Sequence, residues 1–419
     1  MADCPPGAGD DPGGRDTAVA PFRVLTTYNF FEPGFRAGGP VRSIARILDT
    51  CSEQTSVTMV TGDRDLGARE PYPGLSGRWV TRGRARIFYL CPRRPGQWWA
   101  LWRALRQGHF DLLYANGMFA TYSIALVLAA RYGLVRSTRL VIAPRGEFEP
   151  ACLSRRPLKK RCFLWWWGRL LRHRADVAWH ATSPLEATRI AAVFPWARIE
   201  VSPVQVALPA EPIEAAPHHG VPRLVFVGRI LPSKNVALLV EALALVGAPV
   251  SVDLYGPVED AAYWARCRRL IAGLPAHVDL RYHGELRPEV VRETFARYDA
   301  FLMPTLGENF GHVIAESLSA SCPVLCSDRT PWGPVLAAGG GTVIRELTPQ
   351  AWAREIDRLL GRSATARHDA RRAAGAAYRT WRSSVDGPNV LDRLRLRQGA
   401  LPAGATTSEP VPAASPGTR

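Results

Sequence analysis

The chain lacks any C-x-x-C pair, and no histidine cluster accompanies its eight cysteines at 4, 51, 91, 152, 162, 267, 322 and 326. Scattered cysteines in an apolar-rich chain read as core residues rather than a metal knuckle or a disulfide frame, which fits a reducing cytoplasm. No uncharged apolar run reaches 18 residues, so no spanning helix is expected. Residues 1–20 hold no apolar core, so no signal peptide is visible. No G-x-G-x-x-G follows a predicted strand, which counts against a nicotinamide cofactor. Acids are scarce: 37 Asp and Glu against 53 Lys and Arg leave a net charge of +16. That surplus implies an anionic partner, either nucleic acid, a membrane surface or a phosphorylated substrate. No reading-helix or RNP pattern accompanies the basic residues, so no nucleic acid partner is expected.

What is present is a globular composition, 47% hydrophobic and 21% charged over 419 residues, enough for two or three domains. Short apolar runs alternate with amphipathic stretches, which predicts an α/β fold with parallel sheets. In the first block the predicted strands are 22–27, 56–61, 87–90, 111–115, 139–143, 178–181 and 199–202, with helices at 41–49, 97–107 and 122–132. In the second the strands are 224–228, 251–255, 278–283, 299–304 and 323–326, the last closing the sheet. Its helices fall at 233–245, 261–272, 288–297, 349–360 and 364–381.

The segment Gly307-Glu-Asn-Phe-Gly-His-Val-Ile-Ala-Glu-Ser-Leu318 joins a predicted strand to a predicted helix. Free amides at a helix start suit a phosphate. The carboxylates of Glu308 and Glu316, eight positions apart, suit the paired hydroxyls of a sugar or a ribose. An anion site and diol readers within one turn suggest a sugar nucleotide. About 80 residues earlier, Val227-Gly-Arg-Ile-Leu-Pro-Ser-Lys-Asn235 forms another strand-to-helix turn.

These two stretches, in this order, resemble the signatures of retaining GT-B glycosyltransferases of the family 4 type, and the likeness covers roughly residues 21–390. It implies two Rossmann-like parallel-sheet domains facing an inter-domain cleft. The expected layout is a disordered lead at 1–20, an acceptor-side domain at 21–205, a linker at 206–221, a nucleotide-sugar domain at 222–380, a segment crossing back at 381–397, and a disordered tail at 398–419. By the resemblance Arg229 and Lys234 grip the donor diphosphate and, with Glu308, carry the catalysis. Glu308 orients the sugar, and Asn309, Phe310, Gly311 and His312 offer backbone amides. Glu316 takes the ribose hydroxyls, and Gly228, Gly38 and Gly39 let the backbone approach the donor. Gly38 and Gly39 also read as an ordinary turn. No cofactor or metal is expected, because a cationic cradle can replace a divalent ion.

Several positions depart from that pattern. Relatives often carry His-Gly or His-Asp where this chain has Arg145-Gly146, so Arg145 either takes that sugar contact or grips the acceptor. Val204-Gln205 stands for a more usual Pro-Asn. Ser321 stands for glycine, and a side chain at a left-handed position costs about 1 kcal/mol. His180 reads as a structural histidine, and Ser183 with Glu186 as a capping box. Asp328 and Thr330 either bound the cleft or cap a turn. Residues 155–174 interleave eight cations with Trp165, Trp166, Trp167 and other apolar residues, with no acid between Glu149 and Asp176. That pattern reads as an interfacial helix for an anionic membrane, worth about 1 kcal/mol per near-surface cation. Three consecutive tryptophans cannot share one helix face, so some belong to the core.

The expectation is a retaining glycosyltransferase that moves a sugar from a nucleotide-diphosphate donor to a glycan acceptor in cell-surface polysaccharide assembly. A lipid-linked oligosaccharide acceptor and a cytoplasmic, peripheral membrane location go with it. A sugar-nucleotide 2-epimerase of the same fold and a non-catalytic, membrane-associated glycan-binding scaffold are the alternatives.

Overall fold

The computed structural model describes residues 20–154, 157–385 and 387–398. The expected lead and tail lie outside these residues except for Ala20 and Gln398, as do Arg155 and Arg156 of the basic patch.

The first sheet comprises β1 (Phe22–Thr27), β2 (Thr55–Gly62), β3 (Trp79–Arg82), β4 (Ala85–Leu90), β5 (His109–Asn116), β6 (Arg136–Ala143), β7 (Val177–Ala181) and β8 (Ile199–Val201). Their order is β3-β4-β2-β1-β5-β6-β7-β8, parallel throughout except that β3 runs against β4. The inner strands bury successive residues on both faces, most continuously in the last four positions of β1, β4, β5 and β6, as a parallel sheet covered by helices requires. On one face lie α1 (Gly39–Thr50), packing through Ile44 and Leu48, and the C-terminal chain. On the other lie α2 (Pro95–Arg106), α3 (Thr121–Arg131), α4 (Pro157–Leu171) and α5 (Pro184–Val193), packing through Leu101, Leu126, Trp167 and Ile190. Antiparallel β3 is not expected from the sequence, because its residues, three half-exposed and one exposed, give no buried run.

The second sheet comprises β9 (Arg223–Val227), β10 (Val250–Tyr255), β11 (Val278–Tyr282), β12 (Ala300–Met303), β13 (Val324–Ser327) and β14 (Gly341–Ile344), in order β11-β10-β9-β12-β13-β14, all parallel. The sheet therefore ends on β14, not on the 323–326 strand. The predicted helix at 233–245 is also broken. A 3-10 turn spans Pro232–Lys234, Asn235 is left-handed at φ 58°, and α6 (Val236–Leu243) follows. Lys234 thus ends the 3-10 turn, outside α6, and its ammonium bonds Glu308.

Behind α7 (His312–Ser319), the long helix α8 (Ala364–Val385) covers the second sheet. The chain then reaches the first domain. Asn389 Nδ2 donates to Ile47 O at 2.7 Å, and α9 (Val390–Gln398) buries Leu391 and Leu394 beside α1. Asp392 accepts from Ser52 N at 3.0 Å and from Ser52 Oγ at 2.7 Å. Ser321 has φ 53°, and the fold accommodates it: Gly375 leaves room for its hydroxyl, which donates to Ile213 O of the linker at 2.6 Å.

Candidate active site

The cleft lies where the carboxyl ends of the two sheets face each other. The two signature turns meet there through the backbone, since Leu306 N donates to Ser233 O at 2.8 Å. Lys234 Nζ bonds Glu308 Oε1, and Thr305 Oγ1 donates to the same oxygen at 3.0 Å. Glu308 N donates to Arg329 O at 3.0 Å, so the 328–332 turn anchors the loop from outside. Thr330 is the cap of that turn, accepting from Trp332 N, whereas Asp328 is exposed and pairs with Arg329. Trp332 Nε1 donates to Phe310 O, which leaves that carbonyl committed to the scaffold.

Helix α7 starts at left-handed Gly311, φ 83°. Its first residue, His312, lies against α1 of the other domain. His312 Nε2 is 2.8 Å from Ser43 Oγ, and a methyl group on Gly39 would fall 2.1 Å from the ring. Gly39 is thus needed for a close inter-domain approach. Gly38 caps α1 at φ 77°, with nothing within 4 Å of where a side chain would point. Burial, with Arg42 and Arg145 nearby, lowers the His312 pKa to about 3, so the ring is neutral. Glu316 is buried and ion-paired to Arg42 of α1. Arg42 and Ser43 carried no sequence signal, because they meet their partners only across the cleft.

Arg229 does not join the Lys234–Glu308 pair. Its guanidinium, 39% exposed, is 2.9 Å from Glu259. It still faces the cleft, since it and Arg145 both act on Tyr28, whose pKa burial and Glu147 raise to about 12. Gly228 sits beneath it; a methyl group at Gly256 would clash with the Gly228 carbonyl at 1.9 Å.

On the first domain's side, Arg145 is left-handed at φ 55° and its side chain folds back onto its own sheet. Nε and Nη2 donate to Asn116 Oδ1 at 3.0 and 2.8 Å, and Nη2 donates to Tyr114 OH at 3.0 Å. Tyr114 OH in turn bonds His180 Nδ1 at 2.6 Å, and His180 Nε2 donates to Ser202 O at 3.0 Å. Burial first, then Arg145, lowers the His180 pKa to about 3; this is a neutral structural histidine that orients the arginine through Tyr114. Gly146 lets the turn approach Asn309, whose Nδ2 donates to Thr182 Oγ1 at 2.9 Å. Ser183 Oγ accepts from Glu186 N as an N-cap. The Glu186 carboxylate reaches further than a capping box, to Thr182 N at 2.7 Å and Gly146 N at 2.8 Å.

Two further glutamates close the floor. Glu149 lies against Gly307, pairs with Arg189 at 3.0 Å, and has its pKa raised to about 7 by burial. Glu147 accepts from the Met118 and Phe119 amides, yet burial raises it to about 7 as well. Gln205 accepts from Thr50 Oγ1 at 3.2 Å, and Asn389 also bonds that hydroxyl, so this departure ties the residue just before the linker to α1.

Two facing Rossmann-like sheets, with Glu308 in the loop before a helix and Glu316 within that helix, opposite a glycine-rich turn, define the GT-B class. Residues 211–377 match the sequence profile described as Glycosyl transferases group 1, and residues 37–207 match Glycosyltransferase Family 4. The chain belongs to the glycosyltransferase family 4 type. Its similarity to D-inositol 3-phosphate glycosyltransferases is partial. It is 29% identical over 180 residues to that of Geodermatophilus obscurus, covering 39% of this chain and 38% of the relative. It is 30% identical over 152 residues to that of Jonesia denitrificans, covering 33% and 34%. The chain thus spans little more than a third of the curated relatives it matches. The fold is similar to sucrose-phosphate synthase from Thermosynechococcus elongatus, with TM-score 0.68, 16% identity, and 90% and 98% coverage. It is also similar to Anabaena HepE in complex with UDP-glucose, with TM-score 0.65, 15% identity, and 90% and 100% coverage.

Proposed function

We propose that this enzyme is a retaining glycosyltransferase that transfers a sugar from a nucleotide-diphosphate donor to a glycan acceptor carried on a lipid, in cell-surface polysaccharide assembly. The observation that carries the reading is the convergence at one helix start. Lys234 and Glu308 share a hydrogen bond just before it, His312 opens the helix against Gly39 and Ser43 of the opposite domain, and Glu316, one turn on, pairs with Arg42. Lys234 and Arg229 supply positive charge where the departing β-phosphate becomes more anionic, which favours the transition state over the ground state. Glu308 orients the sugar ring through its hydroxyls, and Glu316 exchanges Arg42 for the ribose diol. The acceptor oxygen attacks from the leaving group's face. A donor phosphate oxygen takes its proton as the glycosidic bond to the diphosphate breaks. The cations perform the role of a divalent metal, so turnover survives chelation. Helix α4 holds the enzyme at an anionic membrane on the cytoplasmic side.

A panel of UDP-, GDP- and ADP-sugars tests the donor. The matching nucleotide at 100 times its dissociation constant adds about 2.7 kcal/mol of stability, and no shift with any of them overturns the reading. The epimerase alternative has less support, because both histidines of the cleft are buried neutral and bonded. A second acceptor reading comes from Arg145, a guanidinium fixed on the acceptor side, and from relatives named for inositol 3-phosphate: a phosphorylated polyol. Transfer to inositol phosphate in place of a lipid-linked glycan would favour it.

A further inference from the structure

Two helices of the first domain carry the same outward pair. On α4, Trp165 is 65% exposed and the Arg169 guanidinium lies 5.2 Å from its ring centroid. On α2, Trp99 is also 65% exposed and Arg103 lies 5.5 Å from its ring. Each pair is a tryptophan followed one turn later by an arginine. The inner rows of both helices are already filled, by Trp167 and Leu171 on α4 and by Leu101 and Leu105 on α2. The outward rings are therefore not needed by the core.

Both helices lie on the same side of the eight-stranded sheet and flank α3. Trp98 of α2 touches Tyr122 of α3 at 6.1 Å between centroids, and Phe163 of α4 touches Phe119, just before α3, at 5.3 Å. None of the three helices contains an Asp or Glu. Exposed Tyr132 and Leu134 follow α3, and Leu158 opens α4 at 75% exposure.

We propose that α2 and α4 are two feet of one docking face for an anionic lipid bilayer, with α3 recessed between them. A tryptophan ring at the headgroup boundary with an arginine laid over it places the ring against acyl chains and the guanidinium among phosphates. A polyanion such as nucleic acid would use the cations and rings but leave Leu134 and Leu158 in water; a bilayer takes all of them. Both helices begin at the carboxyl ends of the strands before them, so their first turns stand at the rim of the cleft. Lys160 of α4 lies 5.1 Å over Phe119, whose amide bonds cleft-floor Glu147. A bilayer on this face therefore brings a lipid-borne acceptor to the cleft mouth; that orientation rests on the acceptor proposed above, and the docking extends to α2 the membrane contact proposed there for α4.

Flotation of the full chain with phosphatidylcholine vesicles, with and without phosphatidylglycerol, tests the face. Wild type is expected to float only with anionic vesicles. W99A/R103E and W165A/R169E are each expected to lower partitioning by about tenfold or more, and the combination to abolish it. Melting temperature and the nucleotide-sugar thermal shift should stay unchanged in all three, which separates this outcome from failure of the donor reading. Undiminished flotation of W99A/R103E would remove α2 from the face. Absence of wild-type flotation, or retention on a nucleic acid resin with none on vesicles, would overturn the proposal.

Discussion

Lys234 and Glu308 neutralise each other inside the cleft, so each holds the other in the geometry a donor needs. Removing Glu308 takes away the proposed sugar-orienting contact. Glu308→Ala is expected to lower kcat by about 10²- to 10³-fold with a smaller change in nucleotide affinity; steady-state kinetics and thermal shift with the matching nucleotide-sugar separate the two. Glu147 supplies a pH signature. Its native pKa of about 7 lies above the ordinary 4.5, so the folded protein holds a proton that the unfolded chain has released. Stability from this group is complete below 4.5 and is lost as pH rises toward 7. Glu147→Gln should flatten the fall of melting temperature across that window, which thermal denaturation at several pH values will read. His312 acts in the opposite sense: with a native pKa of about 3, it costs stability as pH drops below the ordinary 6.5.

At the scale of an element, the turn after α7 shows how a departure from the family's glycine is absorbed. Ser321 bears the left-handed strain, about 1 kcal/mol, and recovers a similar amount from its bond to Ile213 O. Ser321→Gly should therefore change stability little. Gly375→Ala would put a methyl group 2.5 Å from the Ser321 hydroxyl and should cost about 1–3 kcal/mol. In a Ser321→Gly background most of that cost should vanish, which denaturant unfolding of the four proteins will measure. The strand-to-helix turn at Gly307–Leu318 was readable from its sequence, because strand period, glycine and helix period all lie within it. Strand β3 was not, since it is a strand through its pairing with β4 and has no buried apolar pattern of its own. The break at Asn235 was also hidden, as Ser233–Leu245 reads as one amphipathic run.

Across the whole molecule the two domains are joined by Arg42–Glu316, Ser43–His312 and Asn309–Thr182, and by the return of α9 to the first sheet. Arg42→Gln leaves a buried carboxylate without its cation. Because Arg42 is itself about a third exposed, the loss should be on the order of 1–3 kcal/mol, below the range for fully buried pairs. Adding Glu316→Gln should restore most of it, as a double-mutant cycle by denaturation will show. Truncation after Val385 strips Leu391 and Leu394 from the first core and should split thermal unfolding into two transitions, with the first domain melting earlier.

The sequence by itself determined the parallel α/β class and the two strand-to-helix turns, because hydrophobic period and turn chemistry act over a few neighbouring residues. Only the tertiary structure decided which side chains meet across the cleft: Arg42 with Glu316, His312 with Gly39, and Arg229 with Glu259 rather than with the Lys234–Glu308 pair. These contacts join residues as much as 274 positions apart, and no local pattern encodes a partner that far along the chain.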